Sequence, residues 1–188
     1  MSDPTFHPVE LLLGVMNQGR KILVSGVSEL NHLPLLICPN LVSSPRGKGI
    51  PGEESLFHDF SRGNYLIQQL HRGLPFHPLG WSLFAKEDPD SSSWILCQEC
   101  FALGREGDCL WCHSFDPNTD ETLLLLQVAK ARGMRTLIFA PIDVGEFMGL
   151  CDVLVLIPDS NRECRVSPHL QMAEQITSEL WNRIIGKP

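Results

Sequence analysis

Short apolar runs alternate along the chain with longer segments in which apolar residues recur at helical spacing. Four runs predict strands buried in a sheet: residues 21–25, 109–112, 134–140 and 151–158. Residues 120–132 and 168–185 predict amphipathic helices. Because strands that alternate with helices form parallel sheets covered on both faces, we predict an α/β fold, a three-layer α/β/α sandwich with a mostly parallel central sheet.

Shorter patterns assign some of the remaining chain. Residues 9–18 predict a helix, and residues 144–150 predict a short one. Residues 94–97 predict another strand, whereas residues 35–38 lie between two prolines and fit either a short strand or a packed turn. Residues 53–72 predict one or two helices.

A polar turn joins the strand of residues 109–112 to the helix that follows it. Residues 113–119 offer hydroxyls, an amide and backbone N–H groups at a helix start, where unpaired donors and the helix dipole favour an anion such as a phosphate. Thr119 also suits a structural role, because its hydroxyl can cap the helix. The turn is therefore a candidate for a helix start and for a ligand site.

Residues 108–133 resemble the central motif of the SIS (sugar isomerase) domain family. That motif is a strand opening with Asp, a Ser-x-Ser-Gly-x-Thr-x-Glu loop and a helix ending in Ala-Lys-x-x-Gly. Aligned without a gap, the chain matches it at Asp108, Ser114, Thr119, Glu121, Ala129, Lys130 and Gly133. Asp116 and Pro117 replace the second Ser and the Gly. These departures fall where the family holds a sugar phosphate, and a carboxylate there repels a phosphate dianion unless a cation intervenes.

The resemblance continues on both sides of this motif. Upstream, Gly26 and Ser28 take the place of the family's Gly-x-Ser turn after the first strand. Downstream, residues 134–158 follow the family's order of strand, short helix and strand, although Ala140 and Pro141 replace the Thr that usually ends the second strand. Together the matching pieces cover about half of the chain.

Chain length and net charge limit the number of domains and the kinds of partner that we expect. A chain of 188 residues with 43% hydrophobic content is long enough for one α/β core, so we predict a single SIS-like domain over residues 1–188, with a divergent or inserted segment at about 30–107. The net charge of −7 and the lack of a basic run argue against nucleic acid as a partner. The apolar runs are shorter than the ~20 residues that span a bilayer, so we expect no membrane contact and a cytoplasmic location.

The resemblance implies a homodimer that binds a sugar phosphate or a related anionic metabolite and acts as a sugar-phosphate isomerase. We expect no cofactor. Ligands of such sheets sit beyond the carboxyl ends of the strands, so the candidate binding residues are Ser25, Ser28, Ser114, Asn118 and Thr119. Because some of the family's polar groups are missing, a non-catalytic dimeric SIS-like module with a decayed site is an alternative.

Aldose–ketose isomerisation needs a base that removes a proton next to a carbonyl group. His113 and Glu54 are the candidates, and His113 has the stronger claim because it directly precedes the polar turn. The strand position of His113 is equally compatible with a packed ring. In the last helix, only Gln171 matches the catalytic and metal-binding set of one branch of the family. His169 in the same helix is expected to face solvent.

Four cysteines offer a third hypothesis. Cys97, Cys100, Cys109 and Cys112 have the C-x-x-C, eight residues, C-x-x-C spacing of a four-thiolate zinc site in a small zinc protein. If residues 108–114 form a strand, however, Cys109 and Cys112 point to opposite faces and cannot bind one ion. We therefore favour cysteines that serve as small buried hydrophobic residues and predict no metal.

Overall fold

The computed structural model describes residues 6–42, 76–79, 92–158 and 166–185. Within these ranges the strands are β1 (Ile22–Gly26), β2 (Phe76–Pro78), β3 (Cys109–His113), β4 (Arg135–Ala140) and β5 (Val153–Leu156). The helices are α1 (Phe6–Asn17), α2 (Leu33–Val42), α3 (Ser92–Leu103), α4 (Asp120–Ala131) and α5 (Val166–Ile185). Short 3-10 helices at Ser28–Leu30 and Glu146–Leu150 follow β1 and β4. Glu54 and the helices predicted for residues 53–72 lie outside the described residues.

The described strands form one parallel sheet in the order β2-β1-β3-β4-β5. From β1 to β2 the chain moves toward one edge of the sheet, and from β3 to β5 it moves toward the other. The topological switch point therefore lies between β1 and β3, where Ser25 is in register with Cys112 and Gly26 with His113. In open α/β sheets, ligands bind in the crevice outside the carboxyl ends of the strands at this point.

Helices cover both faces of the sheet. Val24 and Trp111 face a core that they share with α1, α2 and α5. Leu23 and Leu110, the alternate residues of the same strands, face a second core with α3 and α4. The predicted three-layer α/β/α sandwich with a parallel central sheet is thus confirmed. Among the described residues, no helix combines the length and apolar character needed to cross a bilayer.

Two segments differ from the sequence prediction. The strand predicted for residues 94–97 is wrong, because these residues belong to α3, which packs against α4. A short apolar run does not distinguish a strand from a buried helix, and here the helix buries Leu96 and Cys97 while leaving Trp94 60% exposed. Residues 35–38 belong to α2 and form neither a strand nor a packed turn.

Two aspartates, Asp108 and Asp152, connect neighbouring strands at their amino ends. Asp108 accepts a hydrogen bond from the backbone N–H of Lys21 at 3.1 Å, just before β1. Asp152 accepts from the backbone N–H of Thr136 at 2.7 Å and from the Lys130 ammonium group at 2.6 Å. Burial raises the pKa of the Asp152 carboxyl, but these hydrogen bonds outweigh burial and hold the pKa below its ordinary value. Asp108, Lys130 and Asp152 therefore have structural roles.

Candidate functional site

The candidate site lies where β1 and β3 end at the switch point. The backbone N–H of Val27 donates to the carbonyl oxygen of His113 at 3.0 Å, which fixes the two strand ends side by side. After β1 the chain folds back so closely that a Cβ added to Gly26 would lie 1.8 Å from the carbonyl oxygen of Leu30. Only glycine fits this turn, which is the predicted Gly-x-Ser position.

Ser28 links this turn to the start of α4. Its φ of 54° lies in the left-handed region, which non-glycine residues rarely adopt. From this position its hydroxyl donates to Oε2 of Glu121 at 2.8 Å. Glu121 lies in the first turn of α4, so the hydrogen bond crosses the switch point. Glu121 was not among the predicted binding residues, although the Glu of the Ser-x-Ser-Gly-x-Thr-x-Glu pattern marks it.

Three buried polar atoms at this end of the sheet lack a hydrogen-bond partner among the described residues. They are Oε1 of Glu121, the amide oxygen of Asn118 and the hydroxyl of Ser25, a residue that is fully buried. Ser25 alternates with Val24 along β1 and therefore faces the α3 and α4 side of the sheet. Such atoms are rare in native proteins, because leaving a buried polar group unpaired costs about 1–3 kcal/mol.

The Glu121 carboxylate lies on the same side of the sheet as Ser25. Burial, and then the charge of Glu121, raise the pKa of the Cys97 thiol on α3 to about 11. Burial and then the neighbouring Cys100 and Glu121 also raise the pKa of Cys112, the residue in register with Ser25. An unpaired carboxylate oxygen and an unpaired hydroxyl are thus present on one side of the crevice.

The turn of residues 114–119 uses several of its polar groups internally. The hydroxyl of Ser114 is 3.0 Å from that of Thr122 and is buried with it. Thr119 caps α4 by accepting from the backbone N–H of Thr122, and its hydroxyl donates to the carbonyl oxygen of Asp116. The Asp116 carboxylate accepts from the backbone N–H of Asn118 at 3.0 Å. Asp116, which replaces the family's second Ser, therefore accepts a hydrogen bond from within the turn.

Asn118 joins this turn to the segment after β4. Its side-chain N–H donates to the carbonyl oxygen of Val144 at 3.1 Å. Its amide oxygen packs against Gly145, where an added Cβ would lie 1.9 Å from that oxygen. Gly145 has a φ of 131°, a conformation that favours glycine. The side chain of Asn118 thus holds two loops together at the carboxyl end of the sheet.

His113 is fully buried on the other side of the sheet from Ser25, the side that faces α5. Its Nε2 accepts from the indole N–H of Trp111 at 2.8 Å, and its Nδ1 is 3.1 Å from Nδ1 of His169. Burial and the neighbouring His169 lower the pKa of His113 well below its ordinary value. Both ring nitrogens are therefore engaged, as in the structural interpretation of this residue.

His169 does not face solvent, so that prediction is wrong. It is 1% exposed, and its ring packs edge-on against Phe115 with 5.3 Å between the ring centroids. Burial lowers the pKa of His169 to about 4. The sequence prediction failed because the burial of His169 depends on how α5 packs beside the end of β3.

The four-cysteine zinc hypothesis is contradicted by the positions of the thiols. Cys109 belongs to the core with α1, α2 and α5, whereas Cys97, Cys100 and Cys112 belong to the core on the opposite face. Burial raises the pKa of Cys100 to about 12 and keeps these thiols neutral, unlike the thiolates that bind zinc. In the part of the chain that the structure describes, no cluster of His, Cys, Asp and Glu could hold a metal ion.

No family model matches the chain. A phosphoheptose isomerase of Burkholderia pseudomallei is 31% identical over 93 residues, which are 50% of this chain and 47% of that protein. The chain thus spans about half the length of the curated relatives it matches, or less.

Solved structures share the architecture over most of the chain. Phosphoheptose isomerase from Neisseria gonorrhoeae matches with a TM-score of 0.67 at 19% identity, covering 95% of this chain and 86% of that chain. The sugar isomerase domain of an RpiR transcription factor from Sphaerobacter thermophilus matches with a TM-score of 0.61 at 13% identity, covering 99% and 81%. The chain therefore has the SIS fold. Another protein with this fold, NanR of Vibrio vulnificus, is complexed with ManNAc-6P and matches with a TM-score of 0.53 at 10% identity, covering 97% and 53%.

Within the SIS fold, the described part of the chain brings together some of the predicted binding residues. Ser28 bonds to Glu121 at the start of α4, and Ser25 lies near the end of β1 on the side of the sheet that α4 covers. Ser114, Asn118 and Thr119 follow β3 as predicted, but their side chains bond within the turn or to the loop after β4, and only the amide oxygen of Asn118 lacks a partner among the described residues. We call Ser25, Ser28 and Glu121 the serine–glutamate cluster.

Proposed function

We propose that this SIS-domain protein binds a sugar phosphate at the switch point and interconverts its aldose and ketose forms. The observation that carries the proposal is the serine–glutamate cluster. There the hydrogen bond from Ser28 fixes the Glu121 carboxylate while Oε1 of Glu121 and the hydroxyl of Ser25 lack partners among the described residues. The names of the curated relatives support an isomerase over a non-catalytic module, and the ManNAc-6P complex of a structural neighbour supports a phosphosugar.

The unpaired atoms fit the sugar part of such a ligand. A carboxylate oxygen accepts hydrogen bonds and cannot donate, so Oε1 of Glu121 matches a sugar hydroxyl and repels a phosphate. The phosphate is expected at the N-terminus of α4, where orphan N–H groups and the helix dipole favour an anion. Asp116 is exposed there, and solvent screens its charge. The ligand thus lies with its hydroxyls toward Ser25 and its phosphate toward solvent.

A thermal-shift screen tests this proposal. Pentose, hexose and heptose phosphates are compared with the matching unphosphorylated sugars and with inorganic phosphate. A ligand that binds only the folded chain stabilises it by about 2.7 kcal/mol at a concentration of 100 Kd, so at least one sugar phosphate should raise the melting temperature clearly. The matching sugar and phosphate alone should shift it less. No shift with any sugar phosphate would contradict the proposal.

We also propose that the protein is a cytoplasmic homodimer, as the family resemblance and the sequence suggest. Apolar side chains on α3 support a covered face, because Trp94 is 60%, Phe101 58% and Leu103 46% exposed in the single chain. Sedimentation analysis should give twice the mass of one chain, and cell fractionation should recover the protein with the soluble fraction. A monomer at micromolar concentration would contradict the dimer.

A further inference from the structure

We propose that Glu121 is the acid–base residue of the isomerisation and that Ser28 positions it. This inference rests on the proposed function. The hydroxyl of Ser28 holds Oε2 of Glu121 at 2.8 Å, which orients the carboxylate and leaves Oε1 for the substrate. Among the described residues, Oε1 of Glu121 is the buried carboxylate oxygen without a hydrogen-bond partner. A fixed carboxylate with one unused oxygen is what proton transfer to and from carbon requires.

The position of Ser28 is imposed by the turn around it. Its φ of 54° is unfavourable for serine, and the 3-10 helix that packs on Gly26 keeps the backbone in this conformation. In this conformation the hydroxyl of Ser28 reaches across the switch point to the first turn of α4. The turn therefore places a donor next to Oε2 of Glu121, while Oε1 is buried without a partner among the described residues.

The reaction balances without a cofactor. Oε1 of Glu121 takes the proton from the carbon next to the carbonyl group, and the electron pair of that C–H bond forms the carbon–carbon double bond of an enediolate. The electron pair of the former carbonyl bond moves to its oxygen, to which the Ser25 hydroxyl can donate a hydrogen bond. Glu121 then returns the proton to the neighbouring carbon, while a hydroxyl proton passes from one substrate oxygen to the other. Aldose and ketose are thus interconverted with no net oxidation.

Two other titratable residues near the site, His113 and Asp116, are less suitable as the base. Both ring nitrogens of His113 are engaged, and the ring lies on the opposite side of the sheet. Asp116 is exposed, and its carboxylate accepts from Asn118 within the turn. Glu121 is therefore the described residue whose surroundings leave an oxygen free for substrate.

Hydrogen exchange at carbon tests the role of Glu121 directly. The probes are the sugar phosphates that raise the melting temperature of the parent chain, and proton NMR in D2O follows deuterium entry at the carbon next to the carbonyl group. Glu121→Gln should slow both exchange and turnover by at least ~100-fold, because a neutral amide cannot accept the proton. Its affinity for the sugar phosphate should change by less than about threefold, since a similar hydrogen-bonding shape remains.

Three further variants separate the chemistry from the fold. Glu121→Asp retains a carboxylate at a shifted position and should recover part of the exchange that Glu121→Gln loses. Ser28→Ala should lower kcat by about tenfold with little change in KM, because one oriented hydrogen bond is lost. Glu29 is an exposed residue next to Ser28 in the sequence. Glu29→Gln removes one carboxylate charge there and should exchange hydrogen at carbon at the parent's rate. Should Glu121→Gln fail to fold, the Glu121→Asp and Ser28→Ala results decide.

The outcomes distinguish this inference from the function on which it rests. If the parent binds no sugar phosphate, the proposed function and the inference both fail. If the parent binds and exchanges but Glu121→Gln exchanges at the parent's rate, only the role of Glu121 fails. If the parent binds without any exchange at carbon, the acid–base role is overturned while phosphosugar binding stands. Loss of exchange in Glu121→Gln with retained binding supports the inference.

Discussion

Ser28 donates a hydrogen bond to Glu121 at 2.8 Å and so connects two positions that lie 93 residues apart in the chain. The donor follows β1 and the acceptor begins α4, so the bond spans the switch point of the sheet. Ser28 keeps this geometry despite a left-handed backbone, and Glu121 keeps one carboxylate oxygen without a partner among the described residues. A strained backbone and an unpaired buried oxygen are typical of a binding site in which the ligand supplies the missing hydrogen bond.

The backbone of Ser28 gives the first prediction. Ser28→Gly and Ser28→Ala both remove the hydroxyl, but only glycine relieves the cost of the left-handed conformation. The glycine variant should therefore be more stable than the alanine variant by about 1 kcal/mol in urea unfolding. Both variants should lose the same hydrogen bond to Glu121. Equal stability of the two variants would show that the backbone at this position is not strained.

A second prediction concerns the tight turn at the end of β1. A Cβ at Gly26 would lie 1.8 Å from the carbonyl oxygen of Leu30, so Gly26→Ala should lower the free energy of unfolding by at least ~2 kcal/mol. Gly14 in α1 is the matched control, because a Cβ added there would have no described atom within 4 Å. Gly14→Ala should raise stability by about 0.5–1 kcal/mol. Similar effects of the two substitutions in chemical denaturation would refute the close approach.

The buried histidine pair makes stability depend on pH. Burial lowers the pKa of His169 to about 4, and burial with the neighbouring His169 lowers that of His113 further. Histidine in an unfolded chain titrates near ~6.5, so the unfolded state binds more protons below that pH and stability must fall on acidification. For His169 alone, the loss between pH 7.5 and pH 5 is on the order of 2 kcal/mol, measurable by urea unfolding at both values.

A variant assigns this pH dependence to the pair. His169→Gln removes one titrating ring and should flatten the decline of stability between pH 7.5 and pH 5, even though the variant is less stable at pH 7.5. His32, which is only partly buried, is the control, and His32→Gln should retain the parent's decline. An unchanged slope in His169→Gln would mean that other groups cause the acid sensitivity.

The ion pair of Lys130 and Asp152 is predicted to affect stability and not ligand binding. Asp152→Asn weakens the hydrogen bonds from the Lys130 ammonium group and from the backbone N–H of Thr136, and should cost about 1 kcal/mol at neutral pH because the site is partly exposed. Because the pKa of Asp152 is lowered in the folded chain, the carboxylate stabilises the fold at pH values above the ordinary carboxyl pKa. This stabilisation is lost as the pH falls through the pKa of the folded state. Sugar-phosphate binding should be unchanged. Asp143→Asn, at an exposed position, is the neutral comparison.

The sequence predicts the central sheet because local pattern suffices there. β1, β3 and β4 are apolar runs that are almost entirely buried, and β5 is a shorter apolar run at the edge of the sheet. A buried apolar run of this length between helices is typical of a strand in a parallel sheet. The sequence does not predict β2, because Phe76–Pro78 is short and its strand structure depends on pairing with β1 at the sheet edge. α3 was predicted partly as a strand, since its apolar residues show no clear period and its packing against α4 decides its structure.

The candidate site is less predictable than the sheet. The motif identifies the turn after β3 and the Ser28 position, but whether a hydroxyl is free depends on its partners in space. Ser114 and Thr119 have partners in the turn, whereas Ser25 has none among the described residues. Residues that look equivalent in sequence therefore differ in their suitability for binding. The burial of His169 likewise follows from contacts between distant segments.

Isothermal titration of a sugar phosphate into the parent chain and into Ser25→Ala tests the central claim most directly. The Ser25 hydroxyl is buried without a partner among the described residues, so its removal should leave the free energy of unfolding unchanged or slightly higher. Affinity for the sugar phosphate should nevertheless fall by about tenfold, the equivalent of one lost hydrogen bond. Ser114→Ala, which loses a bond to Thr122 within the fold, should lower stability with a smaller effect on affinity. Equal affinity of the parent and Ser25→Ala would contradict a binding site at the switch point.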